Sequence, residues 1–200
     1  MIAGILQPIR LVLAVMLVLA APTAAQVSPS VSVLRYRIDA PKSNVKARVG
    51  FFGIASKTAR FPKVNGGIDL QPSRLDTIRL DVTLDTTALE AGDEVTLKRL
   101  KGENFFDVKR HPTVRFLGRR MTMTGPITAT IDGDLTARGV SRPVTLAVSF
   151  ANPPAKATGR EPIRLSAQTK IDRTDFGMDA YRLIVAKTVT ITINAQMVPN

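Results

Sequence analysis

Apolar and polar residues alternate with a period of two along much of this chain. In Ile78-Arg79-Leu80-Asp81-Val82-Thr83-Leu84-Asp85 the four aliphatics fall on one face and the charged and hydroxyl side chains on the other. Val144-Thr145-Leu146-Ala147-Val148-Ser149-Phe150 and Val189-Thr190-Ile191-Thr192-Ile193-Asn194 repeat the pattern. Val45 to Val49, Ile127 to Ile131 and Leu165 to Ile171 carry it more weakly. Successive side chains of a strand point to opposite faces, so each segment predicts a strand with one buried and one wet face. Asn65-Gly66-Gly67 and Asp132-Gly133 supply residues for hairpin turns or bulges, and at Asp132-Gly133 the expectation is a hairpin turn. One segment departs from the pattern. Thr86-Thr87 offers a turn, Glu94 to Lys101 reads as a short helix closed by Gly102, and Phe105-Phe106 returns to the apolar side. Roughly eight strands at short spacing, with no long helices between them, predict an all-β antiparallel barrel or sandwich with that helix over one end. The Pro-rich stretch from Asn152 to Gly159 is a loop too short to divide domains, and no internal repeat is present.

The first 25 residues read differently. Arg10 precedes the apolar run Leu11 to Ala21, and the small residues Pro22-Thr23-Ala24-Ala25 follow. That is the order of a secretory signal peptide, with cleavage expected after Ala25. The alternative, an uncleaved anchor, needs about 20 apolar residues, and the run itself is shorter. We therefore expect a signal peptide over 1–25, a flexible segment over 26–34 and one domain over 35–200. Export from the cytoplasm, with the periplasm as the destination, also suits a chain without cysteine.

Composition then removes chemistry. Without Cys there is no disulfide, thiolate nucleophile or Cys-ligated metal, and a single His excludes a multi-His site. His111, in Arg110-His111-Pro112, has no Gly-x-Ser-x-Gly elbow to work with and reads as a turn histidine. Asp132-x-Asp134 lacks the closing acidic ligand of a calcium loop, and Asp81 with Asp85 reads as a solvated outer pair. Neither a phosphate loop nor a dinucleotide fingerprint occurs. The expectation is no catalytic residue, metal or cofactor. A net charge of +12 would suggest nucleic acid in the cytosol, but the leader and the scarcity of aromatics among the basic residues argue against it. Anionic lipid surfaces remain as partners for the basic exterior.

From Tyr36 onward the segments line up with a known family. The stretches are Tyr36-Arg37-Ile38-Asp39 with Ser43-Asn44-Val45, Phe61 with Gly66-Gly67-Ile68, Leu100 to Asp107, His111 to Phe116, Gly133 to Val144, and Ile171-Asp172-Arg173-Thr174-Asp175-Phe176-Gly177. In that order and spacing the chain resembles the YceI-like proteins, secreted lipocalin-like barrels associated with polyisoprenoid binding. The resemblance implies an antiparallel eight-stranded lipocalin-like barrel and a long-chain isoprenoid or other amphiphilic lipid as ligand. This sequence departs from the family where a His often precedes a glycine, here Phe51-Phe52-Gly53, and where His-Ser often stands, here Lys42-Ser43.

An eight-stranded barrel has an interior either filled by side chains or able to hold one ligand. The expected lumen positions are Val45, Ala47, Val49, Leu80, Val82, Leu84, Phe116, Ala129, Ile131, Leu146, Val148, Ala167, Ile171 and Ile191. Ile78 and Ile127 share their alternation, and Ala129 and Ala167 leave space. Phe51, Phe52, Phe105, Phe106 and Phe176 are expected to line the lumen or gate its mouth, with Lys42, Lys57, Arg60 and Arg173 as cations for a head group. A homodimer is a further expectation. Two other functions stay open at this stage: a basic scaffold of the cell envelope without a lumen ligand, and a lipid-acting hydrolase using His111.

Overall fold

A computed structural model describes residues 32–200. The expected signal peptide, and residues 26–31 of the expected flexible segment, lie outside the described residues. In chain order the elements are β1 (Leu34–Ile38), β2 (Asn44–Phe51), β3 (Ala55–Phe61), β4 (Val64–Leu70), β5 (Arg79–Asp85), β6 (Glu90–Ala91), α1 (Glu94–Lys101), β7 (Thr113–Met123), β8 (Thr128–Ala137), β9 (Val140–Phe150), β10 (Ile163–Asp172) and β11 (Val185–Pro199).

The eight strands β1, β4, β5, β7, β8, β9, β10 and β11 pair in that order, all antiparallel, and β1 closes the ring on β11 through Ile38 opposite Met197. β2 and β3 are the continuations of β1 and β4. The first break is the 3-10 turn Ala40–Lys42, which contains Pro41, and the second falls at Pro62. Proline has no N–H to give to a ladder, so each long stave bends where one stands. The outcome is the expected barrel of eight staves, with a single short α-helix among the described residues.

Its two ends are built differently. At one end the β4–β5, β7–β8 and β9–β10 connections meet over Tyr36, Leu70, Ile78, Met121, Ala129 and Phe150, all buried in one cluster. The Gly159 N–H donates to the Tyr36 hydroxyl at 3.1 Å and ties the long β9–β10 loop down. At the other end lie the β2–β3 turn, residues 86–112 with α1, the Arg138-Gly139 turn and residues 173–184.

The helix forms where the sequence places it. Asp93 caps it, its carboxylate accepting from Thr96 N at 2.7 Å, and the Gly102 N–H returns to Arg99 O. Lys98, Arg99 and Lys101 fall in the last turn, where the helix dipole favours cations. Leu97 and Leu100 pack against Val45, Ala59, Phe61 and Leu89, so α1 covers the gap where β3 has only the two residues of β6 as an outer neighbour.

Two glycine assignments are corrected. Asp132-Gly133 is no hairpin turn but the middle of β8, where a Cβ on Gly133 would lie 2.2 Å from Leu117 O. Gly66 lies inside β4 at φ 136°, with Asp81 O 2.0 Å from where its Cβ would be. Both allow neighbouring backbones to approach closely rather than reverse the chain. The β8–β9 reversal is Arg138-Gly139, both at positive φ, which suits a two-residue hairpin.

Candidate functional site

Below the packed end the barrel is hollow. A cavity of about 160 Å³ runs from Ile38, Leu165 and Met197 down to Phe106, Phe176 and Met178. Its wall is apolar, and Val82, Leu84, Val144, Leu165, Ile171, Val189, Ile191 and Ile193 point inward yet are only half-buried. An inward side chain keeps exposed surface only where it faces unfilled space. The sequence leaves that space by setting Ala47, Ala137, Ala167 and Ala195 in the wall and by having no Trp. An apolar void of this size stays dry and receptive to apolar guests.

Three polar residues reach the cavity: Ser43, Thr169 and Arg173. The Ser43 hydroxyl is held by the backbone of Gln196. Arg173 is different. Asp172 accepts from Thr174 N and Oγ1 and starts the 3-10 turn Arg173–Phe176, which Gly177 ends at φ 72°. This turn lays the guanidinium across the loop end of the lumen at 3 % exposure. Its Nε donates to Ala186 O and one terminal nitrogen to Val185 O, each at 3.0 Å, while the other terminal nitrogen donates to Met178 O. The Phe105 ring lies 5.9 Å from it. Among the described residues no carboxylate forms an ion pair with it. Desolvation pushes its pKa down, but a guanidinium has ample margin and stays charged. A buried, carbonyl-tethered cation thus faces an apolar cavity.

The predicted residues divide as follows. Val45, Ala47, Leu80, Val82, Leu84, Phe106, Phe116, Ile131, Leu146, Val148, Ala167, Ile171, Phe176 and Ile191 line the cavity, as does Arg173. Ala129 does not, because it packs in the closed end opposite Met123 and Val148. Ile78 lies in that same packed end, and Ile127, one residue before β8, is exposed. Val49 sits opposite Lys57 toward the β2–β3 turn, beyond the cavity. Phe51 packs edge-on against Phe52 at that turn, and Phe52 projects outward with φ 54°. Phe105 stacks on Tyr181 rather than lining the lumen.

Three of the four expected cations also lie elsewhere. Lys42 is exposed on the turn between β1 and β2, 3.5 Å from Asp39. Arg60 is on the outer face of β3, opposite Lys46 and Glu90. Lys57 bonds Asp93 at 2.8 Å and pins the start of α1 to β3. Lining residues outside the expected set include Phe61, Met178 and Met197. Phe61 and Met197 follow by parity from Ala59 and from Ile193-Asn194-Ala195, whereas Met178 lies in a loop that no periodicity reaches.

A closed up-and-down barrel around an apolar, partly empty lumen is the lipocalin-like architecture. The chain belongs to the YceI-like family: residues 36–197 match the YceI-like domain. A UPF0312 protein of Pseudomonas putida is 26% identical over 162 residues, spanning 80% of this chain and 84% of the relative. Among solved structures, BcnA of Burkholderia cenocepacia superposes with a TM-score of 0.71 at 21% identity, covering 80% of this chain and 98% of that one. A polyisoprenoid binding domain from Saccharophagus degradans, implicated in plant cell wall breakdown, gives 0.66 at 14% identity, covering 84% and 99%. The YceI protein of Campylobacter jejuni gives 0.59 at 23% identity, covering 71% and 84%.

Proposed function

We propose that this protein binds a long-chain isoprenoid lipid, a polyprenyl phosphate or a quinone-like molecule, in its lumen for transport, storage or sequestration, without catalysis. The observation that carries this reading is the apolar cavity whose wall residues remain half-buried. The polyisoprenoid binding named for the Saccharophagus degradans domain supports it. A cavity of about 150 Å³ accommodates benzene, so the empty space corresponds to about one isoprene unit. A longer tail enters as the flexible Met178 and Met197 and the loop-borne Phe106 and Phe176 give way. Each isoprene unit buried contributes about 4 kcal/mol at 0.8 kcal/mol per carbon, enough to repack several side chains.

The tail lies toward the packed end and the polar end of the ligand meets Arg173. Three of the five guanidinium N–H groups are spent on carbonyls, leaving two for a phosphate or quinone oxygen. Export to the periplasm belongs to the same reading and rests on Arg10, the Leu11 to Ala21 run and Ala25. Purified protein would be incubated with polyprenyl phosphate, ubiquinone, polyprenol and palmitate, passed through gel filtration and extracted for mass spectrometry. Stoichiometric retention of the isoprenoids over palmitate is expected. Retention of none of them would refute the proposal.

A further inference from the structure

Among the large apolar side chains that stand in water at the loop end, Phe52 at 60 % exposure, Ile54 at 95 % and Leu183 at 101 % share one edge. They come from two loops that are stitched together. The Phe52 N–H donates to Ile184 O at 2.8 Å, and Phe51 pairs with Val185. Isolated exposed aliphatics are ordinary, but three on one projecting edge beside the lumen are a surface feature.

The wall that leads to this edge is basic. In the register of β10, β11, β2 and β3, one outer row reads Lys170, Thr190, Arg48, Thr58, and the next reads Gln168, Thr192, Lys46, Arg60, with Glu90 of β6 beyond. Among the described residues none of Lys46, Arg48, Arg60 and Lys170 forms an ion pair, and Arg48 is bonded instead to Ser56 Oγ at 2.8 Å. Of the nearby acids, Asp172 is occupied by Thr174, Asp93 by Lys57 and Asp179 by Arg182, while Glu90 stands opposite Arg60. On the opposite wall Arg115 pairs with Asp81 and Arg119 with Asp134. Four cations without an ion pair among the described residues, Lys46, Arg48, Arg60 and Lys170, thus share the wall that leads to the apolar edge.

We infer that this edge is a docking surface for an anionic phospholipid bilayer, with Phe52, Ile54 and Leu183 entering the headgroup region and the basic wall lying against lipid phosphates. Interfacial binding combines such shallow apolar insertion with attraction to anionic lipid. A second protein copy fits less well, since three side chains offer far less than the roughly 800 Å² per partner that a stable interface needs. The surface lies beside Arg173 and the loop-closed end of the lumen, where a lipid drawn from the bilayer would arrive. The docking inference holds whatever fills the lumen.

The test is sedimentation of the exported, purified protein, its N-terminus read by intact mass, with phosphatidylglycerol-containing vesicles and with pure phosphatidylcholine vesicles. Binding to the anionic vesicles alone, weakening with salt, is expected. Ile54→Asp with Leu183→Asp should lower affinity about a hundredfold, near tenfold for each lost side chain. Lys46→Glu with Arg60→Glu should lower it at least about 25-fold, at about fivefold per charge removed. Arg119→Glu, on the opposite wall, should leave it unchanged. All the substituted side chains are on the surface, and melting curves verify folding. Equal binding to phosphatidylcholine, loss only in the basic-wall variant, or no vesicle binding at all would overturn the inference. So would a dimer that the tip variant abolishes in the absence of vesicle binding. Isoprenoid uptake from detergent, measured on the same variants, should be unaffected, which separates failure here from failure of the lumen reading.

Discussion

Filling the lumen is the sharpest perturbation available. Ala167 lies on β10 between Val148 and Ile193 and its methyl faces the cavity. Ala167→Phe adds one phenyl ring, and a ring of that size occupies about 150 Å³ by the same kind of measure, close to the 160 Å³ that is empty. At about 24 cal/mol per Å³ the unfilled cavity costs the fold about 4 kcal/mol, and off-rotamer strain returns about 1–3 kcal/mol of any gain. The variant should therefore be about 1–3 kcal/mol more stable than the parent. It should also bind lipid far more weakly. Excluding six carbons from the lumen removes about 5 kcal/mol of burial, or roughly three to four powers of ten in Kd. Urea unfolding reads the first quantity, and displacement of a fluorescent polyene lipid reads the second. A variant destabilised by several kcal/mol would mean that the lumen is already packed. Full stability with unchanged lipid affinity would mean that the lumen is not the site.

Other outcomes follow from single residues. Arg173→Met should leave the carbonyls of Ala186, Val185 and Met178 without their donor and cost about 3 kcal/mol or more in chemical denaturation, while Arg173→Lys should recover only part of it. Asp93 is held at about 2, below the usual carboxylate value, first by its bond to Lys57 and then by Thr96. Because the folded value is depressed, its stabilising contribution is present above about pH 4 and lost as pH falls toward 2. A carboxyl NMR titration should show the low midpoint, and Asp93→Asn should flatten the acid limb of stability. Gly66→Ala forces a Cβ to 2.0 Å from Asp81 O at positive φ, so its unfolding midpoint should drop by far more than that of Gly92→Ala, where the position is open.

Much of the architecture was legible because burial on one face imposes a period of two, and a period of two is visible without coordinates. The ladders of β5, β9, β10 and β11 fall where Ile78 to Asp85, Val144 to Phe150, Leu165 to Ile171 and Val189 to Asn194 placed them. The helix is bounded as its Asp93 cap and Gly102 stop allow. Alternation tells which way a side chain points but not how far along the barrel axis it lies. Ala129 and Ala167 share a face and a size, yet the first is buried in the closed-end cluster between Met123 and Val148 and the second lines empty space. Loop aromatics were harder still. Phe105 and Phe106 are neighbours in sequence, yet the first stacks on Tyr181 and the second closes the cavity, a division made by the 86–112 fold itself. Arg173 was legible as a cation near the lumen, but its carbonyl cradle depends on Val185 and Ala186 returning past it from the loop. The glycines misled because close backbone approach and chain reversal select the same residue.

Uptake of an isoprenoid by the lumen can be read most directly from native mass spectrometry of the purified protein followed by organic extraction. A one-to-one adduct is expected, with a released mass that is that of a polyprenyl lipid or quinone, and it should be absent in Ala167→Phe. A bare protein mass, with no adduct formed when those lipids are supplied in excess, would contradict uptake.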